Sequence, residues 1–184
     1  MLMNTRRITR VATLLLLCST PLLHAAAATE SRYTPLGREG CKLIQEGMKP
    51  GEGPPDYIEW RCAGVGGYAV KIVHADERGY LTLIDPKGKS HELPLMHVVG
   101  GGFSAIGEKA EWRLMGSPPA PRALIFRMNV HQTESEQWIS SLLVTKLTVD
   151  KVCVVAVIPP GPQQNEQARA AADTAAPKPC LGGS

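Results

Sequence analysis

Between Tyr57 and Cys62 apolar and polar side chains alternate, with Ile58, Trp60 and Cys62 on one side and Tyr57, Glu59 and Arg61 on the other. That is the period of a half-buried strand. Gly64, Gly66 and Gly67 predict a turn out of it, and the alternation resumes over Tyr68 to His74, with Tyr68, Val70, Ile72 and His74 sharing a face. Ala75 to Gly79 is a hairpin-sized connection into a third strand, Tyr80 to Ile84, and Asp85 to Lys89 is a further turn. Connections this short cannot carry a parallel crossover, so the three segments predict an antiparallel meander.

Upstream of the meander, Thr29 to Arg38 reads as a polar lead-in. Gly40 to Ile44 fits a short strand or the opening of a helical turn, and the Pro- and Gly-rich stretch from Met48 to Asp56 fits a loop. Downstream, Gly100 to Gly102 predicts a pliable link. Glu108 to Leu114 has Ala110, Trp112 and Leu114 as inward candidates, and Pro118, Pro119 and Pro121 stiffen the next connection. Arg122 to Val130 alternates Leu124, Phe126, Met128 and Val130 with Ala123, Ile125, Arg127 and Asn129; His131 to Gln137 is a charged tip, and Trp138 to Leu147 is again strand-like. Val152 to Ile158 is apolar throughout and β-branched, which predicts a central strand buried on both faces. After Pro159 to Pro162 the period changes. Ala168, Ala171, Ala172 and Ala175 recur at helical spacing within Gln163 to Ala176, a helix whose apolar stripe is only methyl groups. The fold class is mainly β: an antiparallel meander sheet, or a small barrel or sandwich, with one short C-terminal helix.

Residues 1–28 change the picture of charge. Arg6, Arg7 and Arg10 precede an apolar run, Val11 to Cys18, which closes on Pro21, His24 and the alanines Ala25 to Ala28. This is the layout of a cleavable signal peptide, with cleavage between residues 26 and 29, and the run falls short of the roughly 20 residues a transmembrane anchor needs. The whole chain is formally +3, yet all 17 acidic residues lie after Ala28, so the mature protein is expected to be near neutral. Its basic residues are scattered singly along the sequence, which argues against nucleic acid as a partner. The organisation expected is a signal peptide over 1–28, the lead-in over 29–38, one β-rich domain over 39–160, and a helix with a tethered tail over 161–184, working in a bacterial periplasm.

Four cysteines remain in the mature part, Cys41, Cys62, Cys153 and Cys180, an even number in a compartment that oxidises thiols. Three pairings are open. Sequence order suggests Cys41 with Cys62 and Cys153 with Cys180, the second bond tethering the helix, which with its alanine stripe is expected to come free when that tether is cut. No short C-x-x-C spacing suggests a metal or redox role.

Candidate chemistry is sparse. The Gly64 to Gly67 turn leads into a strand and not a helix, so it lacks the context of a phosphate loop. His91, Glu92 and His97 match no zinc motif, and Pro94 breaks the segment. His74, Asp76, Ser104, Glu59 and Asp85 are available to a hydrolase, but no nucleophile elbow joins them. No catalytic residue, cofactor or metal is assigned. A binding surface needs less, and Tyr57, Arg61, Tyr68, Arg78 and Tyr80 supply the aromatic and arginine side chains that dominate protein contacts. The expected function is a binding or structural module presenting a rigid β surface to a protein or cell-envelope partner, with a small envelope hydrolase as an alternative; oligomeric state is left open.

Through Trp60-Arg61-Cys62-Ala63-Gly64-Val65-Gly66-Gly67 and through Asn165 to Asp173 followed by Cys180, the chain resembles uncharacterised small exported proteins of proteobacteria, a resemblance that carries no activity with it. In size, compartment and disulfide use it is also similar to periplasmic inhibitors of lysozyme. That similarity implies inhibition of lysozyme or another cell-wall hydrolase as a further alternative, and it assigns no site residue.

Overall fold

The computed structural model describes residues 29–47 and 57–183; the leader, the Met48 to Asp56 segment and the cleavage site lie outside the described residues. Two five-stranded antiparallel sheets share one core, and neither closes into a barrel. The short sheet is built from β2 (Cys41–Gly47), β3 (Tyr57–Ala63), β4 (Ala69–Ala75), β5 (Arg78–Ile84) and β6 (Ser90–Glu92), in that spatial order. Its middle is the meander read from the alternation. The long sheet has the order β1 (Glu30–Pro35), β7 (Ser104–Met115), β8 (Ala120–Gln132), β9 (Gln137–Leu147), β10 (Val152–Ile158).

Inward residues of both sheets meet in the core, where Val70, Ile72, Leu81 and Leu83 of the short sheet pack with Trp112, Leu124, Phe126 and Leu143 of the long one. Trp112 is fully buried, and its indole N–H donates to the Thr34 hydroxyl at 2.8 Å, which satisfies the polar end of a large apolar side chain. The same ring explains Gly64, where a Cβ would lie 2.7 Å from the indole. A short helix α1 (Leu95–Val99) closes one end through Leu95.

Two expectations about strands need correction. The polar lead-in is an edge strand: β1 pairs along its whole length with β7, from Glu30 opposite Leu114 to Pro35 opposite Lys109. Backbone hydrogen bonds recruit it, so no apolar alternation announces it. The apolar run of β10 is likewise at an edge, and the central strand of the long sheet is β8. Both faces of β10 are nevertheless covered. Val154 points into the shared core, while Cys153 and Val155 point to a second cluster with Ala168, Ala172 and Ala175. Its outer edge is covered in part as well, because the Leu181 N–H donates to the Val154 carbonyl at 2.8 Å.

The second cluster lies under α2 (Gln164–Asp173), which covers the outer face of the long sheet. Disulfides join Cys41 to Cys62, directly opposite each other on β2 and β3, and Cys153 to Cys180. At roughly 0.8 kcal/mol for each buried methyl, three alanines contribute about 2–3 kcal/mol, little against the entropy of fixing ten residues. Polar anchors supply the rest. Arg113 donates through Nε and Nη2 to both oxygens of Asp173, each at 2.8 Å, and Arg169 donates through Nε to Glu111 at 2.7 Å. The Gln164 amide donates to the carbonyls of Ser140 and Ile158, and Lys146 Nζ donates to that of Lys178 at 2.7 Å. The disulfide is therefore one attachment among several, which corrects the reading of α2 as held by its tether alone.

Candidate functional site: the outer face of the short sheet

Among the described residues no helix covers the outer face of the short sheet. Strand register puts Tyr57, Glu59 and Arg61 of β3 on this face, opposite Ala75, Val73 and Lys71 of β4, and puts Arg78 and Tyr80 of β5 opposite Ala75 and Val73. Four of the five residues singled out from the sequence, Tyr57, Arg61, Arg78 and Tyr80, thus share one surface. Tyr68 does not. It lies in the turn before β4, half-buried, with its ring 5.8 Å from that of Trp112, and burial first of all raises its phenol above the usual value. It belongs to the core.

Register also brings together charges that are far apart in the sequence. Lys42 of β2 is opposite Arg61, and Arg61 is opposite Lys71, so three cations form a row across adjacent strands. Like charges placed directly opposite cost stability. No described carboxylate lies within ion-pair distance of any of the three. Glu59, one position along β3 toward Tyr57, accepts a hydrogen bond from the Tyr57 hydroxyl at 2.8 Å, and that bond, ahead of burial, raises the phenol of Tyr57.

At the β4–β5 end the face turns a corner into an aromatic ridge. Asp76 and Glu77 form the hairpin turn with φ of 49° and 58°, left-handed values that side chains rarely adopt. The turn is stitched to β7: Ser104 N–H donates to the Glu77 carbonyl at 2.9 Å, and Gly79 N–H donates to the Ser104 hydroxyl at 3.2 Å. Arg78 then lies with its guanidinium carbon 5.8 Å from the ring centre of Phe103, within cation–π reach. Phe103 neighbours His131, and His131 meets the Trp138 ring edge-on at 5.3 Å. Phe103 is 45% exposed and Trp138 55%.

The glycine run expected to be pliable builds this ridge. Gly102 passes so close to the His131 carbonyl that a Cβ would collide with it, and the Gly101 carbonyl accepts from Arg78 Nε at 3.3 Å. Phe103, His131 and Trp138 were not singled out from the sequence; the only signal was a tryptophan beside a polar hairpin tip, and their proximity depends on the β8–β9 register, which pairs His131 with Trp138.

Of the groups available to a hydrolase, His74, Ser104 and Asp85 are held in structural roles. His74 stacks edge-on against Trp60, and burial lowers its pKa. Ser104 is buried as an acceptor for Gly79. Asp85 accepts from the backbone of Lys87 and Lys89 and from His91, and the His91 hydrogen bond is the main cause holding its carboxyl below the usual range. Among the described residues no three His, Cys, Asp or Glu side chains are placed to hold a metal, and no helix is long and apolar enough to cross a membrane. The site is a cationic and aromatic surface. Compared with protein-family models, curated proteins and solved structures, the chain matches none.

Proposed function

We propose that the protein is exported to a bacterial periplasm and acts there as a binding module, engaging an acidic protein surface with the outer face of its short sheet. Two disulfides in a small β-rich domain support an oxidising compartment. The observation that carries the partner reading is the cross-strand row Lys42, Arg61 and Lys71, which costs the sheet stability and lacks a described carboxylate to relieve it. An acidic partner would relieve it. Tyr57, Tyr80, Arg78 and the Phe103–Trp138 ridge border the row with the residue types that anchor protein interfaces. Three cations are few for a phosphate footprint, where six to ten contacts are common.

The test uses the disulfide-intact protein as bait in a periplasmic extract, beside an Arg61→Glu, Lys71→Glu double variant whose thermal unfolding is matched to the parent. The expected result is an acidic protein held by the parent, released as salt rises, and not held by the variant. Equal retention by both proteins, or retention indifferent to salt, would overturn the reading.

A further inference from the structure

On the opposite side of the molecule, Arg127 stands apart from the other buried or half-buried cations packed between the long sheet and α2. Arg113 and Arg169 are each paired with a carboxylate, and Lys146 is bound by carbonyls. Arg127 is half-buried on β8, and no described carboxylate pairs with it. Its Nη1 donates to Ser140 Oγ at 2.9 Å and to Gln164 Oε1 at 3.1 Å, neutral groups that fix the guanidinium without compensating its charge. Its Nε and Nη2, the side of the fork that takes a carboxylate with two parallel bonds, meet no protein acceptor among the described residues.

Arg127 also lines a cleft of about 700 Å³ between β7, β8 and the first turn of α2. The cleft exists because the β7–β8 register breaks between Ile106 and Ala110, and because Gly107 leaves room: a Cβ there would sit 2.7 Å from that of Arg127. Ile125 and Leu142 give the cleft an apolar side, and the Asn129 and Asn165 amides line it without hydrogen-bond partners among the described residues. The charged lining is Lys109, Arg127 and Arg169 against Glu108 and Glu111, a formal surplus of one positive charge, which suits a monoanion better than a phosphate dianion.

We propose that this cleft binds an amphipathic monocarboxylate, its carboxylate on the Nε–Nη2 side of Arg127 and its apolar part over Ile125 and Leu142. Both a short fatty acid and a peptide C-terminus offer that chemistry.

The test is an NMR titration of the ¹⁵N-labelled, disulfide-intact protein with hexanoate, with N-acetyl-alanyl-alanine and its C-terminal amide, and with inorganic phosphate, following Arg127 Nε–H and the Asn129 and Asn165 side-chain amides. Saturable shifts with one of the two carboxylates at a Kd below about 1 mM are expected, and the tighter of the two names the source. The amide should give no shift, and both Arg127→Gln and Arg127→Lys should weaken binding at least tenfold, since lysine keeps the charge but loses the fork. Absence of a saturable shift with either carboxylate, an equal response to the amide, tighter binding of phosphate, or undiminished affinity in either folded variant would overturn the proposal.

Discussion

The two sheets have the same number of strands and share one core, yet apart from Arg127 the buried and half-buried cations beside α2 have charged or carbonyl partners, whereas the row on the short sheet has no described carboxylate. On the long sheet Arg113 meets Asp173, Arg169 meets Glu111, and Lys146 meets backbone carbonyls, all beneath or beside α2. On the short sheet Lys42, Arg61 and Lys71 stand in a row with no described partner. The chain therefore contains carboxylates suited to neutralising surface cations and uses them where a helix must be held. Among the described residues a cross-strand row of cations without a carboxylate occurs on the short sheet, and that contrast is what supports the proposal that this face meets another molecule.

The sharpest way to break that contrast is to remove a pairing that the long sheet depends on. Arg113→Ala would leave the Asp173 carboxylate without its partner and is expected to cost about 3–4 kcal/mol. Amide exchange across α2 should rise while the short sheet stays protected; unchanged exchange in α2 would mean that the ion pair does not hold it.

Cys180→Ser comes next. A bridge spanning 27 residues stabilises by up to about 3.5 kcal/mol on the chain-entropy estimate. Because Arg113–Asp173 and Arg169–Glu111 remain, α2 should stay docked while the stretch after it loosens, and exchange protection along Ala168 to Ala172 is the quantity to follow. Complete loss of that protection would show the disulfide to be the dominant anchor after all.

Acid should affect the two sheets differently. Burial works to raise the Glu111 carboxyl, but hydrogen bonds from Arg169 and Ser31, together with the charge of Arg169, outweigh it and hold the group below its ordinary value. A depressed carboxyl contributes stability that is present above the ordinary value of about 4.3 and is lost as pH falls through the lower folded value. Helix docking should accordingly weaken below about pH 4, seen as faster exchange in α2 than in β3 or β4 at matched intrinsic rates. Equal acid sensitivity in the two sheets would contradict this.

The smallest effect belongs to the row itself. Arg61→Ala and Lys71→Ala should each change stability by within about 0.5 kcal/mol, in the stabilising direction, since each relieves a like-charge neighbour. A clear destabilisation in denaturant unfolding would mean that these cations serve the fold.

How much of this was legible follows from what each feature depends on. The meander of β3 to β5 was readable because alternation reports directly which face of a strand is buried. The polar β1 was not, because its pairing to β7 is made by backbone, and its side chains serve as partners, Thr34 for Trp112 and Ser31 for Glu111. The apolar run of β10 correctly signalled two covered faces, but a sequence cannot distinguish cover by neighbouring strands from cover by a helix and a tail. Tyr57, Arg61, Arg78 and Tyr80 followed from composition and period. The cation row and the Phe103–His131–Trp138 ridge needed register, a property of strand pairs that no single segment carries. Arg127 was read only as an alternating strand position, since its lack of a carboxylate depends on where α2 lies.

The central claim is that the outer face of the short sheet is the partner surface, and site-specific photo-crosslinking tests it most directly. A benzophenone side chain placed at Tyr80, on that face, and in a second protein at Gln167, on the exposed side of α2, would be irradiated in the periplasm. The account predicts a discrete crosslinked species from position 80 that disappears when Arg61→Glu and Lys71→Glu are added, and none from position 167. A crosslink from position 167 with none from position 80 would contradict it.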